Sequence, residues 1–98
     1  MTQRLRLHPE ALRELHEAAA YYDAKGPGLG IVFVTEVQRV FAQSLAFPDA
    51  APLLRGQVRK KAIAVFPYSV VYTLIDDVVV VLAIAHHARR PFYWIARD

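Results

Sequence analysis

Tyr68–Ile75 (YSVVYTLI), Asp76-Asp77 and Val78–His86 (VVVVLAIAH) are the stretch from which the fold is read. Both runs are rich in β-branched and aromatic residues, and two turn-forming aspartates separate them, which predicts a β-hairpin. Val78–His86 is apolar on both faces, so it is expected to be the most buried strand. Its unbroken apolar run, Val78–Ala85, is eight residues long. A spanning helix needs about 18–20, so no membrane span is expected.

Working back from the hairpin, Gln57–Phe66 alternates Val58, Lys60, Ala62, Ala64 and Phe66 with Arg59, Lys61, Ile63 and Val65. That period of two predicts a strand, and Pro67 marks a bend or a sheet edge. Pro48, Asp49, Pro52 and Gly56 punctuate a loop before it. A helix is predicted from about Leu29 or Gly30 to about Phe47, with Phe33, Val37, Val40, Phe41, Ser44 and Leu45 as its stripe. Val34 widens that stripe beyond one core-facing side. Another helix opens at His8-Pro9-Glu10, where proline suits the first turn and His8 is a mediocre cap. Leu12, Leu15, Ala18, Ala19 and Tyr22 share one face of it, and Arg13, Glu14, Glu17 and Ala20 lie off that face. Lys25-Gly26-Pro27-Gly28 ends it. Gln3–Leu7 alternates polar and apolar residues, as an edge strand does.

The order is strand, helix, helix, strand, strand, strand. It predicts an α+β fold: a helical hairpin on a small antiparallel-dominated sheet, in one domain over residues 1–98. The chain has 98 residues, 55% of them hydrophobic, which suffices for one core. The lack of cysteine excludes disulfides, thiolate metal sites and cysteine nucleophiles. Met1–Arg6 has no apolar segment of the signal-peptide kind, so a cytoplasmic protein is expected.

Charge is uneven. Residues 1–54 carry five basic and six acidic side chains, net −1, and residues 55–98 carry seven and three, net +4. The second half clusters its cations in Arg59-Lys60-Lys61 and Arg89-Arg90, so an anionic partner would meet that half. Gly26-Pro27-Gly28-Leu29-Gly30 is a turn between helices; a phosphate loop would follow a strand and carry Lys-Ser/Thr. His86 and His87 are neighbours in an extended segment and point to opposite faces, so no metal site is expected. No cofactor is expected either. Ser44 and Ser69 have no nucleophile signature around them, and Asp76-Asp77 is turn chemistry. Arg89, Arg90, Tyr93 and Trp94 combine charge for phosphate with rings for stacking.

Several segments, taken in order, resemble the RelE/ParE toxins of type II toxin–antitoxin systems, and most closely the ParE side. They are His8-Pro9-Glu10-Ala11-Leu12 with Glu14-Leu15, Tyr21-Tyr22, Pro27-Gly28-Leu29-Gly30, and Phe33 with Glu36-Val37. Phe66-Pro67-Tyr68 then leads to Val70-Val71-Tyr72, and Val81–His86 precedes Arg89-Arg90-Pro91 and Tyr93-Trp94. The resemblance implies a toxin neutralised by a cognate, ParD-like antitoxin in a hetero-oligomer. ParE-type members act on DNA gyrase, whereas RelE-type members cut messenger RNA on the ribosome. This chain has Ser69 where family members often carry a basic residue.

Two mechanisms therefore stand, together with an inactive member that keeps only antitoxin binding. The first is a gyrase poison that acts by binding, with Arg89, Arg90, Tyr93 and Trp94 as its target surface and the Tyr93 hydroxyl dispensable. The second is an endoribonuclease in which Arg59, Lys61, Arg89 and Arg90 supply charge and His86 or Tyr93 moves protons. In either case Val34, Val37, Phe41, Arg59 and Lys61 are the expected antitoxin contacts, an apolar helix face beside a basic strand.

Overall fold

The computed structural model describes residues 4–97. Gln3 and Asp98, placed by the sequence reading in the first strand and the tail, lie outside the described residues. The elements are β1 (Arg4–Leu7), α1 (Pro9–Lys25), α2 (Leu29–Ala46), β2 (Leu53–Arg55), β3 (Val58–Ala62), β4 (Tyr68–Ile75) and β5 (Val78–His86). They build one sheet of order β1-β5-β4-β3-β2. β1 runs parallel to β5, from Arg4↔Val78 to Leu7↔Val81, and every other pairing is antiparallel. The hairpin closes at Ile75↔Val78 with Asp76 and Asp77 both at positive φ, +50° and +61°. Positive φ at both loop residues is the combination whose twist matches paired strands.

The helical hairpin turns where two glycines let it. Gly28 sits at φ +89°, and a Cβ on Gly30 would meet the Ala19 carbonyl oxygen at 2.6 Å. Asp23 ties the turn down, its Oδ1 accepting from the amides of Gly28 and Gly30. At the other end of α1 the His8 ring serves as the cap, Nδ1 accepting from the Glu10 amide at 3.1 Å. Both helices lie on one face of the sheet. Their core joins Phe33, Val37 and Val40 to Val70, Tyr72, Val79, Val81 and Ile84. Tyr22, Phe33, Phe66 and Tyr68 meet within it as a ring cluster, with centroids as close as 4.7 Å.

Three sequence expectations are corrected. Leu12 is 43% exposed and Glu14 only 7%, so the buried face of α1 is Ala11, Glu14 and Ala18, with Leu15 and Tyr22 flanking it. The predicted strand Gln57–Phe66 is ordered as β3 only over Val58–Ala62, because Val65 takes φ +75° and turns the chain outward with its side chain exposed. The loop ahead of it contains the short edge strand β2, which pairs with β3 around Gly56 at φ +56°. As the two apolar faces of Val78–His86 lead one to expect, the second face of the sheet is covered too, by Trp94 from the tail over Val71, Val80, Leu82 and Ala83. Among the described residues no helix is long and apolar enough to cross a membrane.

Candidate functional site

A register shift opposite Val71 and Tyr72 leaves Leu82 as an extra residue in β5. A bulge of this kind puts two successive side chains on one face. Here Leu82 and Ala83 both turn to the outer face, away from the helices, and make a seat for Trp94, which is 4% exposed. Phe92, at φ +59°, packs edge-on to Trp94 at 5.9 Å, with the Arg55 guanidinium 5.0 Å above its own ring.

Glu14 holds the tail in place. Its Oε1 accepts from the Ile84 amide and from Arg97 Nη1, and its Oε2 accepts from Arg97 Nη2 and from the Tyr93 hydroxyl, all at 2.8–3.0 Å. Arg97 also donates to the Leu82 carbonyl at 3.0 Å. β1 ends its pairing at Val81, where the His8 amide donates to the Val81 carbonyl. Past that point two backbone groups of β5, Leu82 O and Ile84 N, are satisfied by the Glu14–Arg97 pair. Buried backbone groups need such partners. Burial works against the Arg97 charge, but its bonds to Glu14 more than offset this and its pKa rises. The Tyr93 phenol is also pushed up, first by burial, then by its bond to Glu14 and by that carboxylate's charge.

Between the tail and the outer face lies a cleft of about 150 Å³ lined by Lys60, His87, Arg89 and Arg90 over Val71 and Trp94. Arg89 stacks on Tyr93, its guanidinium carbon 3.9 Å from the ring centre, and lies 3.9 Å from Glu14. His87 Nε2 is 3.0 Å from the hydroxyl of Ser69, a fully buried residue.

Arg89, Arg90, Tyr93 and Trp94 are thus brought together, though the Trp94 ring and the Tyr93 hydroxyl are engaged inside the fold. His86 lines the same cleft, but its ring lies edge-on to Tyr68 at 4.9 Å and its Nδ1 accepts from the Ala88 amide. Arg59 and Lys61 are elsewhere. They pair with Tyr72 and Val70, whose side chains belong to the helix-side core, and directly paired residues share a face. Arg59 donates to the carbonyls of Asp49 and Ala51, stapling the loop before β2. The proposed nuclease set is therefore split between two faces.

Of the apolar antitoxin set, Val37 is fully buried and Phe41 half-buried against the core. Val34 borders a shallow depression between the helices with Ala20, Ile31 and Thr35. Sequence reasoning missed Lys60, which the alternation placed opposite Arg59 and Lys61 and which pairs with Val71 of the outer cluster. It also missed His87 and Glu14. The strand parity of Lys60 was a usable signal, whereas nothing near Glu14 in sequence announces Arg97. Among the described residues no group of three or more His, Asp or Glu side chains is placed to hold a metal ion.

No curated protein sequence matches the chain. Among solved structures, one described as "Chromosomal ParDE TA system from P. aeruginosa" superimposes with a TM-score of 0.75 at 16% identity, covering 87% of this chain and 96% of that one. That likeness carries the fold. Residues 5–91 match the family described as the ParE toxin of the type II toxin–antitoxin system parDE. The match spans β1 through the cationic Arg89-Arg90, and on that extent the chain belongs to the ParE toxin family.

Proposed function

We propose that this ParE-family toxin poisons DNA gyrase by binding, without turnover of its own, and that a cognate antitoxin silences it. The carrying observation is how the proton-moving groups are engaged. The Tyr93 hydroxyl donates to buried Glu14, and His86 accepts from a backbone amide. A ribonuclease needs such groups free to exchange protons with substrate. Arg89 and Arg90 remain at the surface for a target. The exposed Ile31 beside Val34, with Lys61 across the helix-side face, supports an acidic amphipathic helix as the antitoxin segment. Such a complex is expected to bury more than about 1,000 Å².

The test compares targets in one experiment. Purified toxin is added to gyrase with supercoiled plasmid, and to translating ribosomes. Inhibited supercoiling with accumulated double-strand breaks is expected, and replacing both Arg89 and Arg90 by alanine should weaken it roughly tenfold or more. Cleavage of ribosome-bound messages with gyrase unaffected would overturn the proposal.

A further inference from the structure

The cleft on the outer face has a charge pattern that the packing of the fold does not require. Lys60 enters it from β3, and His87, Arg89 and Arg90 enter from the tail, about thirty residues later in sequence. None of the residues lining it is acidic. The Lys60 and Arg90 side chains make no hydrogen bond or ion pair among the described residues. Glu14 approaches Arg89 at 3.9 Å, but its oxygens already accept from Arg97, Tyr93 and the Ile84 amide. The Arg89 guanidinium carbon lies 3.9 Å from the Tyr93 ring centre, and the guanidinium N–H groups donate no hydrogen bond among the described residues. Ser69 engages one nitrogen of His87, and the other makes no hydrogen bond among the described residues.

Like charges gathered around an apolar floor repel one another unless an anion joins them. Guanidinium and ammonium groups together, in a concave site of single-group size, suit the tetrahedral oxygens of phosphate. We propose that this cleft is a phosphate-binding site, in which Lys60, Arg89 and Arg90 bind the oxygens of a phosphate ester and His87 donates at the rim. The site does not rest on the gyrase reading, although Arg89 and Arg90 serve both.

Trp94 is the single tryptophan of the chain and lines the cleft, so its fluorescence reports occupancy. The purified chain is titrated with inorganic phosphate, with a 5′-mononucleotide and with a short single-stranded oligonucleotide, against chloride at matched ionic strength. Saturable quenching by phosphate is expected and none by chloride. Lys60→Ala and Arg90→Ala should each weaken affinity about tenfold, the usual scale of one charge-assisted contact. Both should keep the wild-type melting temperature. Lys61→Ala, on the opposite face, should leave affinity unchanged. Tighter binding of the oligonucleotide, with affinity falling steeply as salt rises, assigns the phosphate to a nucleic-acid backbone. Equal affinity for the mononucleotide assigns it to a free nucleotide. No saturation by any of the three, or an equal loss in Lys61→Ala, would overturn the site. Because no gyrase is present, either result leaves the gyrase test unaffected.

Discussion

Glu14 is an acidic residue on a helix that already displays Glu10 and Glu17, both paired to Arg13 on the surface. What separates it is its surroundings: Arg97, Tyr93 and the edge of β5 close over it. Removing one member of a buried pair leaves the other charge uncompensated. Glu14→Gln should therefore cost about 3 kcal/mol in urea denaturation, whereas Glu17→Gln should leave the midpoint where it was. Equal effects would show that Glu14 is as solvated as its neighbours. Tyr93 carries a pH prediction. In the unfolded chain tyrosine ionises near pH 10, and its folded pKa is raised. Its contribution is thus complete below about pH 10 and is lost as pH climbs through the folded value. Tyr22, Tyr68 and Tyr72 are raised in the same direction, chiefly by burial. Stability should fall above about pH 10. Tyr93→Phe should lower it by about 1–2 kcal/mol at neutral pH and flatten the alkaline decline. An unchanged alkaline slope would argue that the hydroxyl is not held by Glu14. A structural hydroxyl also means that the phenylalanine variant is not silent, even if gyrase never touches it.

At the scale of elements, the helical hairpin depends on the absence of a side chain at Gly30. A Cβ there meets the Ala19 carbonyl oxygen at 2.6 Å, which is backbone and cannot rotate away, and the Asp23 side chain at 3.2 Å. Gly30→Ala should cost about 1–3 kcal/mol despite alanine's better helix propensity, because α1 and α2 must move apart. A melting temperature at or above wild type would show that the helices have room to separate. The β4–β5 hairpin was legible because strand sterics and turn chemistry act between near neighbours, and two β-branched and aromatic runs around Asp76-Asp77 record both. β2 was not legible: with Leu53 and Leu54 exposed and only three residues, it is a strand because β3 lies beside it. The same dependence shortened β3, where Val65 at positive φ ends the pairing that the alternation alone would have continued.

Over the whole molecule, the sheet is covered on both sides, by two helices on one face and by the tail on the other. A truncation after Ala88 would remove Trp94 and Arg97 together. It would expose the cluster of Val71, Val80, Leu82 and Ala83 and leave Glu14 buried without its guanidinium. Such a chain is expected to aggregate or bind a hydrophobic dye, and one that stays soluble and melts like the full chain would refute the tail's structural role. The sequence by itself determined the order of the main elements, the α+β class and the cationic character of the second half. Each of these follows from local periodicity, turn chemistry and composition. Only the tertiary structure decided where the charges sit and what they pair with. It turned Lys60 toward the tail and Arg59 away from it, placed His87 on Ser69, and drew Glu14 inside to meet an arginine 83 residues later. Those pairings depend on a bulge at Leu82 and on the tail folding back, and contacts between distant residues leave no periodic trace in the chain.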